Sequence, residues 1–206
     1  MAFGNFKYPD VISRLNLTED SADLFVGVPD VQPSDALRSF LRTNVSLANL
    51  INTEKARSEL LVAPVLSELW ARAGGRINVF SGIEFDADPE NELTGFVDFL
   101  IGHGPQLPRV SAPVVVAFEA KRDNIAEGYG QCIAAAVGAQ RFNTRAGREL
   151  SPIYGGITTG SLWKFLRLDG TRVTFDRSEY SIQQTERVIG LLAHMLGIQP
   201  TASAAA

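Results

Sequence analysis

Glu119 and Lys121 are the residues whose types and spacing most clearly allow chemistry. They end the run Val114-Val115-Val116-Ala117-Phe118, which is typical of a central strand covered on both faces. Alternate residues of a strand share a face, so the carboxylate and the ammonium should lie side by side at the strand end. Charged groups are rarely buried without partners. The pair is therefore either a structural salt bridge or part of a reactive site.

Two more acidic residues stand where carboxylates are unusual. Asp98 interrupts the apolar strand predicted over Thr94–Ile101, and Asp is a poor strand former. It is either satisfied by a loop amide or functional. Glu54 begins a predicted helix and falls within about 20° of Leu61 on the helical wheel, which places it toward the core side. The alternative is that Glu54 is a first-turn residue favoured by the helix dipole.

The elements that must position these residues predict an α/β fold with a mixed central sheet flanked by helices. Two helices are expected between residues 34 and 74, breaking near 49–52, with Ser34 and Thr53 as N-caps. Pro64 should bend the second helix mildly or be absorbed by its packing. Further helices are predicted over 128–142 and 180–196, and strands over 76–86, 94–101, 114–121, 153–159, 162–168 and 172–175.

Domain boundaries follow from the same pattern. Residues 1–33 are predicted to be an N-terminal arm with one short helical turn, residues 34–197 a single domain, and residues 198–206 a disordered tail. The net charge of −4 gives no global basic field for a polyanion. The segment 121–148 is locally basic, and a phosphate backbone would be expected there at Arg122, Arg141, Arg145 and Arg148.

Composition excludes several classes of protein. The single cysteine, Cys132, forms no intrachain disulfide and is expected to be a small packing residue, which fits a reducing, cytoplasmic compartment. Two histidines and one cysteine do not make a typical zinc site. Residues 1–7 are not followed by an apolar stretch, so a signal peptide is not expected, and no apolar run reaches 18 residues, so a membrane-spanning segment is not expected either.

The ordered set of motifs resembles the PD-(D/E)xK nuclease superfamily. The resemblance rests on Asp98, on Glu119-Ala120-Lys121 at the end of an apolar strand, and on Gln131 in the next helix. It is closest to the N-terminal nuclease domains of type I restriction motor subunits, which share the segment 53–57 before Pro64. The chain is also similar to a group of uncharacterised bacterial proteins that share the segments 57–59, 81–85, 119–121, 130–134 and 158–165. One departure is Val97, where many members have proline before the aspartate.

The resemblance implies a three-layer restriction-endonuclease-like fold and a metal-dependent endonuclease, favours DNA over RNA as the substrate, and suggests a restriction or defence role by analogy. Asp98, Glu119 and Glu54 would hold Mg²⁺ or Mn²⁺, which lowers the pKa of bound water. Lys121 would orient or deprotonate the attacking water and offset phosphate charge, and Gln131 would bond to substrate or to the lysine region. Whether the protein is a homodimer stays open. The alternative is a non-catalytic binding or scaffold protein that kept this fold.

Overall fold

A central mixed sheet with a hydrophobic core on each face organises the computed structural model, which describes residues 3–198. The sheet runs in the order β1-β7-β6-β5-β4-β3-β2, and a short strand, β8, also pairs with β6. The β1–β7 and β4–β5 pairs are parallel and the other pairs are antiparallel. The strands are β1 Thr18–Ala22, β2 Ile77–Glu84, β3 Phe96–His103, β4 Val114–Ala120, β5 Ile153–Thr158, β6 Leu162–Asp169, β7 Arg172–Asp176 and β8 Tyr180–Ser181.

Helices cover both faces of this sheet, as the apolar sequence of β4 requires: every residue of β4 is buried. The core on one face is built mainly from α2, α4 and α6, and the core on the other from α5 and the N-terminal segment. The prediction of a mixed sheet flanked by helices is therefore confirmed. The helices are α1 Asp10–Arg14, α2 Asp35–Ile51, α3 Glu54–Arg57, α4 Ala63–Ala73, α5 Tyr129–Arg145 and α6 Thr185–Met195.

The break between α2 and α3 falls where the sequence predicts it. Asn52 ends α2 in the left-handed conformation, with φ 52°, and the Thr53 hydroxyl then accepts a hydrogen bond from the Ala56 amide at 3.1 Å. Ser34 caps α2 in the same way through the Leu37 amide. A π-helical turn, Ser58–Val62, joins α3 to α4 just before Pro64. Because proline has no amide hydrogen to donate, the altered turn absorbs it without ending the helical path.

Helix α5 runs antiparallel to β4 and is fixed to it at both ends. At its start, a Cβ on Gly128 would lie 3.4 Å from Cγ of Glu119. At its end, the buried Asn143 side chain bonds to both the amide and the carbonyl of Val114, at 2.8 and 2.7 Å. Cys132 is buried between these anchors, its Sγ 3.6 Å from the Gly156 carbonyl oxygen, which confirms its packing role. The start of α5 therefore lies at the edge of the sheet where β4 ends.

Residues 3–33, the described part of the N-terminal arm predicted over residues 1–33, pack against the rest of the chain. Phe3, Phe6 and Phe25 are buried, and β1 adds a parallel strand beside β7 at one edge of the sheet. The pattern escaped prediction because β1 is the polar sequence Thr-Glu-Asp-Ser-Ala, which pairs on one side only and carries no apolar alternation.

The C-terminal part of the chain also differs in detail from its prediction. The helix expected to begin at residue 180 starts at Thr185, because Tyr180–Ser181 pairs with β6 and a 3-10 turn intervenes. Ile198 is buried and its amide bonds to the Ala193 carbonyl, whereas residues 199–206 of the predicted tail lie outside the described residues. No helix in the described part of the chain is long and apolar enough to cross a bilayer.

Candidate functional site

Asp98 and Glu119 meet at one end of the antiparallel β3–β4 pair. Phe99 and Phe118 are direct partners across this antiparallel pair. Asp98, one position before Phe99, therefore lies opposite Glu119, one position after Phe118. One Asp98 oxygen accepts a hydrogen bond from the Ala120 amide at 2.7 Å. That bond holds the aspartate against the end of β4, as the structural alternative anticipates, and it leaves the carboxyl group beside Glu119.

Lys121 completes this cluster. Its Nζ lies 2.5 Å from Oε1 of Glu119, and its amide donates to the Thr158 carbonyl of β5 at 2.8 Å. The Glu119 side chain is 5% exposed and that of Lys121 is 21% exposed, so the pair lies at the rim of the core with the ammonium on the solvent side. The side-by-side arrangement predicted from the strand period is confirmed.

Burial and like charge both disfavour ionisation of the two acids. Burial and the charge of Asp98 raise the pKa of Glu119 to about 8, against opposing effects of Lys121. Burial also raises the pKa of Asp98, although bonds from the Ala120 amide and from Glu119 favour its ionised form. Burial would lower the pKa of Lys121, but the bond to Glu119 and the surrounding acids raise it. Between about pH 4.5 and 8 the Glu119 carboxyl group therefore holds a proton that an isolated glutamate would have released.

Glu54 lies at the mouth of this cluster, not on the core side of its helix. It is the first residue of α3 and is exposed, so the core-side placement from the helical wheel is wrong. The angle between Glu54 and Leu61 differs from the helical-wheel value because Leu61 lies within the π-helical turn Ser58–Val62. Its carboxylate acts electrostatically on both Glu119 and Lys121. Glu59, the other helix carboxylate that could have served, instead pairs with Lys55 at 3.6 Å.

An open cleft of about 400 Å³ lies on the solvent side of the cluster, where Lys121 and Glu54 line it and Asp98 and Glu119 do not. Arg122 is exposed on this cleft and contacts Asp123, its neighbour in the chain. The cleft therefore brings cationic and anionic side chains to the end of β4, where a phosphate group could enter. It is lined by Glu54, Lys121, Arg122, Asp123, Asn124 and Glu127.

Gln131 and the other predicted arginines lie elsewhere. The side-chain oxygen of Gln131 is 3.7 Å from the position that a Cβ on Gly4 would occupy, so this side chain packs toward the N-terminal segment. Arg141 lies about 18 Å along α5 from its first residue, at 1.5 Å per residue.

Arg141 pairs there with Asp88 at 2.7 Å, and Arg145 bonds to the Ala87 carbonyl, so both hold the β2–β3 connection. Arg148 is exposed just beyond α5. Of the four predicted phosphate contacts, the structure brings Arg122 alone to the cleft.

A further residue, Arg57, connects the cluster to its surroundings, and sequence patterns did not give it a role. Its Nη1 donates to the Thr159 carbonyl at 3.2 Å and to the Ser161 hydroxyl at 2.9 Å. Its other nitrogens donate to the Asn52 side chain. The arginine thus joins the start of α3 to the β5–β6 turn. Its place at the end of the segment 53–57 and at the start of the segment 57–59 was the available signal.

The donor set can be compared with what a divalent ion needs. No three His, Cys, Asp and Glu side chains within residues 3–198 come close enough together to cage a metal. Mg²⁺, however, is usually bound through one or two carboxylates and keeps several waters. Asp98 and Glu119 are such a pair, and a bound cation would offset both the burial and the repulsion by Asp98 that raise the pKa of Glu119. The residues present therefore fit a hydrated Mg²⁺ or Mn²⁺.

Comparison with models of known protein families gives no match to this chain, and a search among curated proteins gives none either.

Proposed function

We propose that the protein is a metal-dependent nuclease that hydrolyses phosphodiester bonds, with DNA as the substrate class and a restriction-endonuclease-like arrangement of its three layers. The observation that carries the proposal is the convergence of Asp98, Glu119 and Lys121 at the end of β4, beside an open cleft. Two carboxyl groups held together against their own repulsion, with an ammonium adjoining, match the needs of phosphoryl chemistry.

The chemistry divides among the residues as follows. Asp98 and Glu119 would hold Mg²⁺ or Mn²⁺, which supplies Lewis-acid stabilisation and a more acidic bound water. Lys121 would orient or deprotonate the attacking water and would neutralise charge that develops on the phosphate. Glu54 would hold or orient water at the mouth of the cleft, and Arg122 would contact the backbone of the substrate.

A cleavage assay tests this proposal. Purified protein with Mg²⁺ or Mn²⁺ is incubated with supercoiled, linear and single-stranded DNA and with RNA. We expect metal-dependent cleavage that is lost in Lys121→Ala and Asp98→Asn. Lys164→Ala is the matched control and should cleave like the wild type. Lys164 lies on β6, and its Nζ donates a hydrogen bond to the Arg177 carbonyl. Cleavage that persists in both site variants would show that this cluster is not the active site.

A second candidate function is a binding or scaffold role without catalysis. One observation favours it: Lys121 already occupies one oxygen of Glu119, and Ala120 one oxygen of Asp98. These bonds satisfy the two acids without a metal. Calorimetric titration separates the two functions, because a scaffold should bind no Mn²⁺ in a way that depends on Asp98.

A further inference from the structure

We infer that Arg57 is a positioning residue that sets the place of Glu54 relative to Lys121. This inference rests on the proposed function, since it assigns the partner through which Glu54 joins the site. It starts from the observation that α3 is only four residues long and contributes one buried residue, Ala56. Because α3 is the first turn of the helical path that continues into α4, and helix ends fray, contacts from elsewhere must fix where its first carboxylate lies.

Arg57 supplies these contacts through a fork of hydrogen bonds. Nη1 bonds to the Thr159 carbonyl and the Ser161 hydroxyl, while Nε and Nη2 bond to the Asn52 side chain at 3.2 and 3.1 Å. A planar guanidinium fixes the direction of several donors at once, which lysine cannot reproduce. The residue therefore fastens the α2–α3 junction to the β5–β6 turn from two sides.

The β5–β6 turn is itself rigid and is bonded directly to the end of β4. The Thr158 hydroxyl donates to the Leu162 carbonyl and accepts from the Gly160 amide, both at 2.8 Å. The Thr158 carbonyl accepts the Lys121 amide at 2.8 Å. A continuous path thus runs from Glu54 through Arg57 and the turn to Lys121. Within residues 3–198, Arg57 is the only residue whose side chain forms hydrogen bonds between α3 and this turn.

Loss of the Arg57 hydrogen bonds should change the position of α3 relative to the β5–β6 turn. Without the guanidinium, α3 keeps its cap at Thr53 and the packing of Ala56, but its register against the turn is no longer fixed. Glu54 then loses its position over the cleft, and the end of β4 opens more often. The loss should be local, because the two cores and the central strands do not depend on Arg57.

The first test is a double-mutant cycle on single-turnover cleavage. Arg57→Ala and Glu54→Gln should each slow cleavage by roughly 10- to 100-fold, as loss of a supporting partner at a metal site does. Because both act through one carboxylate, the double variant should be no slower than Glu54→Gln. Arg57→Lys should not restore the rate. Additive losses, or an unaffected Arg57→Ala, would overturn the positioning role.

The second test needs no activity and so separates this inference from the proposed function. Amide hydrogen exchange is measured by NMR without metal. Arg57→Ala should raise exchange at the Lys121 amide by about 10-fold and leave Val116 unchanged. A uniform rise across the sheet would show a merely structural role. If this variant does not fold, Ser161→Ala removes one acceptor of Arg57, together with the hydrogen bond that the Ser161 hydroxyl donates to Asn49, and should give the same local pattern at smaller size. The exchange result stands even if no nuclease activity is found.

Discussion

The titration of Glu119 makes a prediction about stability that can be worked out from the structure. In the metal-free protein its pKa rises from 4.5 to about 8 because the group is buried and lies beside Asp98. Between these pH values the native state binds a proton that the unfolded chain has released. The free energy of unfolding must therefore fall as pH rises through this window, by about 1.4 kcal/mol per unit at most.

The size of the effect follows from the window. A difference of about 3.5 units corresponds to an upper limit of about 5 kcal/mol, and the interval from pH 5.5 to 8 accounts for up to about 3 kcal/mol of it. The raised pKa of Asp98 adds a change of the same sign. In Glu119→Gln the proton-linked part disappears, while Lys121 keeps an oxygen to which it can donate.

The assay is urea unfolding in EDTA at a series of pH values, followed by the fluorescence of the buried Trp163. We expect the wild type to lose stability from pH 5.5 to 8 and Glu119→Gln to lose clearly less. Glu59→Gln, which removes an exposed helix carboxylate, should keep the wild-type slope. Equal slopes in the wild type and in Glu119→Gln would refute the argument that this carboxyl group holds a proton near neutrality.

Two further predictions concern the surroundings of the site. Gly130→Ala should destabilise the protein by about 1–3 kcal/mol in thermal or urea melts, because a Cβ there would lie 2.3 Å from a main-chain oxygen of the N-terminal segment; Gly4→Ala, with 3.7 Å of room, should cost little. Arg122→Ala should weaken DNA binding and reduce the slope of log affinity against log salt by about one, whereas Arg141→Ala, whose guanidinium already pairs with Asp88, should leave that slope unchanged. Equal salt slopes in the two arginine variants would contradict this assignment of the binding surface.

Much of the fold follows from sequence because local signals agree with burial. A few residues suffice to predict several elements. Examples are the apolar run of β4, the helix caps Ser34 and Thr53, and the hairpin turn after β6. The approach of Asp98 to Glu119 follows too, because Asp98 lies near the start of one strand and Glu119 near the end of the next, and antiparallel pairing places those two ends side by side.

Other features depend on contacts that a linear pattern does not contain. The polar strand β1 is stabilised by pairing with β7, and the helical phase of Glu54 is reset by a π-helical turn. Local basic charge pointed to Arg141 and Arg145, but both are used within the protein. The role of Arg57 depends on a turn about a hundred positions later in the chain.

The central claim is that Asp98 and Glu119 together bind a divalent ion, and a crystal structure with Mn²⁺, read by anomalous scattering, tests it most directly. We expect one peak within about 2.0–2.4 Å of an oxygen from each carboxyl group. Lys121 should have moved away from Glu119, and water molecules should complete the coordination shell. The same crystals of Asp98→Asn should lose or weaken the peak. A well-occupied ion elsewhere, or no ion at saturating Mn²⁺ while Lys121 stays bonded to Glu119, would show that Asp98 and Glu119 do not form the metal site.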